Sequence, residues 1–456
     1  MAKFTQSLEA MTSNLHLWDV EHTQTAIKEC KVIEYHPLAS IHSSDTITFR
    51  IPEQENLWLD YVELYTDLKF KPDLNHGDQV SVVSNLANSL FKNVSVSVNG
   101  IDFMQSFDNA YNISTWFNTA LNTDPNREKE LLWNEGFLMD DARTKEHSES
   151  LVVFHRDAVA AVPAVAAVQA DPANGVEAVA AVPGVAAIPE QHMYNPSLAR
   201  RQKIVFHEWV FISKLQCTLF QENKLLPDNL AIDIKLVKST RGFPMLCSND
   251  KENYIDITGM KLRAHYKVLT EPAYKSVQAR LSREAALYRV DEPKVTFHNV
   301  PVGVRTVTFN NLITGVLPKL FVCAINHRSA YANNKERNPY TFLYMSKIQA
   351  WINGKPHFDT PVENQTTRYL AFQDELGIQS SGANLIAPEL FDAHMCIPFN
   401  LNADKNLRHH LNLMKHGNIR LEIQLLRDSI EDLVLVVYAL YDKVFEINKD
   451  RQVRFL

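Results

Sequence analysis

Apolar and polar residues alternate along much of this chain, and the alternation is plainest in Val62-Glu-Leu-Tyr-Thr-Asp-Leu-Lys-Phe70. Successive side chains of a strand point to opposite faces, so this period of two predicts one face on a core and one in water. Similar segments predict strands at 31–35, 46–51, 57–70, 80–83 and 93–103, and later at 306–309, 317–325, 347–358 and 433–447. Helical spacing intervenes at 84–91, read as capped by Ser84, at 109–122, which turns Tyr111, Trp116 and Phe117 inward, and at 366–377. The alternating stretch 254–269 reads as the opening strand of the second half, after a turn-rich linker at 239–252.

The pattern is written twice. Asn93-Val-Ser-Val-Ser-Val-Asn-Gly-Ile-Asp-Phe103 breaks at Asn99-Gly100, and Lys347-Ile-Gln-Ala-Trp-Ile-Asn-Gly-Lys-Pro-His-Phe358 breaks at Asn353-Gly354, 254 residues on. Asn-Gly between alternating runs predicts a type I′ hairpin, because both central residues of that turn need positive φ. Each half closes on a similar strand, Asn229-Leu-Ala-Ile-Asp-Ile-Lys-Leu236 and Asn418-Ile-Arg-Leu-Glu-Ile-Gln-Leu425, only 189 residues apart when the asparagines are matched. The first half therefore carries the larger insertions. Repeats of about eight strands with long excursions between them fit a jelly roll better than a tight-turned sandwich.

The resulting expectation is an all-β chain, a double jelly roll of two eight-stranded antiparallel β-sandwiches with short helices in the loops. Its parts are an N-terminal arm at 1–29, a first jelly roll at 30–245, a second at 246–445 and a C-terminal tail at 446–456. Within the first lies an Ala/Val/Pro-rich insert at 157–190, whose prolines forbid a long helix. Three readings of it compete: a flexible or extended surface loop, an apolar excursion packed against other copies of the chain, and a hexapeptide β-helix turn.

Composition narrows the function classes. A chain of 456 residues that is 45% hydrophobic holds enough apolar material for two cores without staples. Five scattered cysteines with no Cys-x-x-Cys pair argue against a disulfide framework and a zinc ribbon, and are read as reduced and mostly buried. The N-terminus lacks the apolar core of a secretory signal, and the apolar run at 433–441 is too short to span a bilayer, so synthesis is expected in the cytosol. A net charge of −7 without a basic stripe argues against sequence-specific nucleic-acid binding. The mildly basic stretch 443–456 reads as a solvated end.

Enzymatic readings find little support. A cupin centre needs three imidazoles and a carboxylate at set spacing; His207, His394, the His409-His410 pair and His416 do not supply it. Phosphate-cradling and nucleophile motifs are absent from the sequence, and Asp140-Asp141 and Asp374-Glu375 read as ordinary surface. No catalytic residue, metal or cofactor is expected. The candidate residues are structural: Asn99, Gly100, Asn353 and Gly354 as turns, and Trp58, Trp116, Trp209 and Trp351 as core or interface anchors.

Four strings join the paired hairpins in a consistent order: Val32-Ile-Glu-Tyr-His-Pro-Leu38, Arg200-Arg201-Gln-Lys, Leu225-Leu226-Pro-Asp-Asn229 and Leu413-Met-Lys-His-Gly-Asn-Ile-Arg-Leu421. Together they resemble the double jelly-roll major capsid proteins of Polinton (Maverick) elements and adintovirus-like DNA viruses, over roughly residues 30–430. The insert departs from that pattern. The resemblance implies jelly rolls side by side, a homotrimer presenting a pseudo-hexagonal capsomer, and an icosahedral virion shell. Its implied partners are copies of itself, neighbouring capsomers and penton or minor capsid proteins. A rival from another class is a receptor- or carbohydrate-binding β-sandwich, such as a vertex spike or lectin-like module.

Overall fold

The computed structural model describes residues 23–42, 44–73, 80–103, 110–123, 132–140, 155–156, 191–192, 196–220, 224–247, 253–331, 337–377, 384–391, 393–405, 407 and 410–456. The 157–190 insert, most of the 1–29 arm and His409 lie outside them.

Eight strands build the first barrel: β1 (Ile27–Tyr35), β2 (Thr46–Ile51), β3 (Trp58–Lys71), β4 (Phe91–Val98), β5 (Ile101–Asp102), β6 (Trp209–Lys214), β7 (Ile232–Lys238) and β8 (Tyr254–Leu269). They form two four-stranded sheets, ordered β1-β8-β3-β6 and β2-β7-β4-β5, with antiparallel neighbours throughout. The second barrel repeats the plan with β9 (Ala286–Val300), β10 (Thr306–Val316), β11 (Leu320–His327), β12 (Met345–Ile352), β13 (Lys355–Pro356), β14 (Ile397–Asn400), β15 (His416–Leu425) and β16 (Leu433–Ile447). Its sheets run β9-β16-β11-β14 and β10-β15-β12-β13, the same order shifted by eight. This four-plus-four order is the jelly roll, met twice. Between the facing sheets lie Phe49, Val94, Val96, Ile234 and Leu262 in one barrel and Phe321, Ile348, Leu421 and Leu435 in the other, all fully buried.

Both Asn-Gly turns form and occupy the same place, between the last two strands of their sheets. Asn99 and Gly100 have φ of 48° and 79°, Asn353 and Gly354 51° and 79°. The side-chain carbonyl of each asparagine accepts a backbone N–H from the neighbouring strand, Ala231 at 2.9 Å in one barrel and Asn418 at 2.8 Å in the other. Ala231, not Asn229, is thus the partner of Asn418, and the closing strands lie 187 residues apart rather than 189.

Three expected boundaries move. The stretch expected to open the second half, β8, instead pairs with β1 and β3 and completes the first barrel, so that barrel extends past 245 to Leu269. Alternation announces a strand but not its neighbour, which decides its domain. The connection between barrels is a helix, Glu271–Leu281, begun by a proline in its first turn. The expected tail at 446–456 contains the end of β16 and a further strand, β17 (Val453–Phe455), paired to β16. The predicted helix at 84–91 shrinks to Leu86–Ser89, preceded by Asn85 and without a side-chain cap from Ser84.

Candidate assembly interface

Four helices matter for the surfaces: α1 (Tyr111–Asn122), α2 (Pro196–Val205), the connecting helix α3 (Glu271–Leu281) and α4 (Gln365–Glu375). Helix α1 follows the first hairpin and carries Ile113, Trp116, Phe117, Ala120 and Leu121 at helical spacing. An ordinary surface helix buries one stripe, but here Tyr111–Ala120 is almost wholly buried because α1 is held between the two barrels. Trp116 stacks against Tyr340 with ring centres 6.0 Å apart, meets Phe342 edge-on at 5.2 Å and lies 5.6 Å from the His394 ring. Phe117 stacks on Phe342 at 5.5 Å and on Tyr438 of β16 at 5.2 Å. The Ala120 carbonyl accepts the Leu385 N–H at 2.8 Å. Aromatic rings of one barrel therefore fill the seam with those of the other.

A buried polar cluster lies beside these rings. Arg201 of α2 pairs with Asp140 and donates to the Leu138 carbonyl, while Asn338 of the second barrel donates to the other Asp140 oxygen at 2.6 Å. Burial pushes the Asp140 carboxyl up, but the Arg201 charge, His394 and the Arg201 and Asn338 hydrogen bonds outweigh it and hold the group below the usual carboxylate range. Fully buried His394 places Nδ1 2.8 Å from the Tyr340 carbonyl and Nε2 3.1 Å from the Asp140 carbonyl. The ring donates to both carbonyls at once only when both of its nitrogens carry protons.

A second node ties the barrels elsewhere. Asp228 is buried and accepts from the Asn56 N–H at 3.0 Å, the Tyr274 hydroxyl at 3.0 Å and the Gln278 amide at 3.2 Å, the last two on α3. Arg451 completes it, donating Nε to the Asp228 carbonyl at 2.7 Å and pairing with the carboxylate. The Arg451 carbonyl in turn accepts from Asn99 Nδ2 at 2.8 Å. The 443–456 stretch, expected to be a solvated end, is anchored in this node, where Arg451 supplies the buried Asp228 carboxylate with a positive partner.

The two corresponding sheets meet different surroundings. Every residue of β11 and of 433–440 in β16 is buried, so the middle of that sheet is covered on both faces. In the first barrel β3 and β8 alternate, and the outer face carries Tyr61, Glu63, Tyr65, Lys261, Arg263 and His265. These residues pair with one another: Arg263 with Glu34 at 2.7 Å and the Tyr65 hydroxyl at 2.6 Å, His265 with Glu63 at 3.0 Å, and Tyr61 stacked on His265 at 4.2 Å. Apolar Phe206 and Val210 stand 62% and 56% exposed at the start of β6.

The tryptophans divide by location. Trp116 is in the seam; Trp58 packs under α3 with Leu269 and Leu281; Trp209 meets Trp133 edge-on at 6.2 Å on the first barrel; Trp351 lies on β12 beneath the Arg420 guanidinium at 4.8 Å. Asp140, Arg201, Asp228, His394 and Arg451 were missed as seam residues. The available signal was the run 433–441, apolar at both parities, which marks a strand covered on both faces. Among the described residues no cluster of metal-ligating side chains occurs, and Cys30 is exposed while the other four cysteines are buried and unbridged.

No protein-family model matches the chain, and no curated protein matches its sequence. Solved structures do match. A chain of the Sputnik virophage structure superposes with a TM-score of 0.63 at 10% identity, over 99% of this chain and 93% of that one. The Faustovirus major capsid protein gives 0.59 at 9%, over 95% and 92%, and the mavirus major capsid protein 0.52 at 13%, over 100% and 96%. At these identities the likeness is one of fold, and with the strand orders above it establishes a double jelly roll spanning the chain.

Proposed function

We propose that the chain is the major capsid protein of a DNA virus, a homotrimer whose six jelly rolls form a pseudo-hexagonal capsomer of an icosahedral shell. The observation that carries this reading is the seam: two barrels of one plan stand side by side, joined through α1 and two buried ion-pair nodes. The matched Faustovirus and mavirus proteins are major capsid proteins by name and cover nearly the whole of both chains. Self-association and the virion shell are accordingly its partners and its place, with penton or minor capsid proteins beside it. The Polinton and adintovirus-like assignment rests on the ordered strings, two of which contain the node residues Arg201 and Asp228. The activity is structural and not enzymatic.

Sedimentation of the purified chain with negative-stain imaging tests the reading. Trimers with a hexagonal base that survive dilution support it, since obligate interfaces typically remove about 2,000 Å² or more from water. A monomer that binds glycans supports the lectin-like rival instead.

A further inference from the structure

His394 is wholly buried, and both of its ring nitrogens face backbone carbonyls: Tyr340 of its own barrel at 2.8 Å and Asp140 of the other at 3.1 Å. A neutral imidazole carries one N–H. In that form the second nitrogen sets its lone pair against a carbonyl oxygen, in a site that water does not reach. The backbone holds the ring in this position. The His394 N–H bonds the Leu390 carbonyl at 3.1 Å, and the Phe342 N–H bonds the Ala393 carbonyl at 3.0 Å, so the ring enters the seam from a fixed segment.

The surroundings favour a cation. Among the described side chains, the charged or titratable groups at this site are Asp140, Arg201 and Tyr340. The Asp140 carboxylate, held below its usual range, is ionised beside the ring. Arg201 is a like charge, but its guanidinium is engaged by that carboxylate and by the Leu138 carbonyl. Burial keeps the Tyr340 hydroxyl protonated far above its ordinary range. Helix α1 carries no charged residue and contributes the Trp116 ring, 5.6 Å from the imidazole between centres and tilted by 34°, within reach of cation–π attraction. Of these groups His394 alone changes charge between pH 6 and 9.

We propose that His394 is an imidazolium in neutral solution and makes the seam a pH-sensitive joint between the two barrels. In mildly alkaline solution the ring gives its Nε2 proton to solvent and keeps the Nδ1–H on Tyr340, the nearer acceptor. The hydrogen bond to the Asp140 carbonyl and the attraction to its carboxylate are then both lost. Tyr340 and His394 belong to one barrel, so the bond that goes is the one that crosses the seam. A raised imidazole contributes stability that is fully present below about pH 6.5, its unfolded value, and is lost as pH rises through the folded one.

The test is urea unfolding of the full chain at pH 6, 7.5 and 9, wild type against His394→Gln, which keeps a donor but no charge. The expected result is a loss in the folding constant about tenfold larger at pH 6 than at pH 9, the change that a folded value about one unit above the free one produces. Glu135 also titrates in this range, but it is present in both chains and cancels. A second readout leaves His394 in place. An imidazolium against an indole quenches its fluorescence, and a neutral imidazole does so far less. Trp116 emission, taken as wild type minus Trp116→Phe, therefore rises between pH 6.5 and 9 while the chain is still folded. If His394→Gln does not fold, this titration decides. A loss that is equal at pH 6 and pH 9, or a Trp116 emission that stays level across the range, overturns the assignment.

Discussion

Arg451, in the last turn of the chain, donates to the Asp228 backbone carbonyl at 2.7 Å and pairs with the Asp228 carboxylate, so the end of the second barrel closes a buried node of the first. Arg451 adopts φ of 60° to reach it, in the left-handed region that non-glycine residues rarely use. The turn around it is held by Asn448, whose carbonyl accepts the Arg451 N–H at 3.0 Å.

Removing the cation leaves a buried carboxylate without its charge partner. Arg451→Met is expected to lower stability by about 3 kcal/mol or more, while Arg454→Ala, at an exposed position on β17, stays within about 0.5 kcal/mol. Denaturant midpoints of the two variants check this; equal midpoints would mean that the node does not hold the barrels.

Gly100 and Gly354 share φ of 79°, and a Cβ at either would meet nothing within 4 Å, so substitution there is opposed by the backbone alone. Gly100→Val and Gly354→Val are each expected to cost about 1 kcal/mol or more, by similar amounts, because a β-branched residue resists positive φ. Thermal melts of the pair test the equivalence of the turns, and a large cost at one with none at the other would contradict it.

Asp140 has a folded-state acidity held below the ordinary carboxylate range, chiefly by Arg201 acting against burial. A depressed acid contributes stability that is present above its unfolded pKa, about 3.9, and is lost as pH falls through the folded value. Asp140→Asn should cost about 3–5 kcal/mol at pH 7 by leaving Arg201 buried and unpaired. The gap from wild type should begin to narrow below about pH 4 and close as pH falls through the lower folded value, where wild type itself loses the ion pair. Urea titrations at pH 7, 4 and 3 measure it, and a gap that widens on acidification would reverse the assigned sign.

Glu135 behaves oppositely. Burial, against the pull of Lys214, pushes its carboxyl up to about 7. A raised acid favours the fold at low pH, and that contribution is lost as pH climbs from the ordinary carboxylate range through 7. Glu135→Gln is therefore expected to be nearly neutral at pH 5 and to stabilise the chain by about 1–3 kcal/mol at pH 8. A melt series across this range in which variant and wild type do not diverge as pH rises would count against it.

By itself the sequence determined the local grammar: alternation named the strands, Asn-Gly named both hairpins, and the repeat at 254 residues named two domains of one plan. These features are legible because they depend on neighbours close in the chain, through side-chain parity and the φ that a turn demands. What only the tertiary structure decided was partnership. Strand β8 reads the same whether it opens one barrel or closes the other, since parity specifies a face and not a neighbour. Asp140, Asp228 and Arg451 look like surface charges in a one-dimensional reading, and they become buried anchors because two barrels meet over them. Trp116 on α1 is buried and Leu370 on α4 is exposed, although each is a large apolar residue on a helix that follows an Asn-Gly hairpin, because burial depends on which surface the chain brings across.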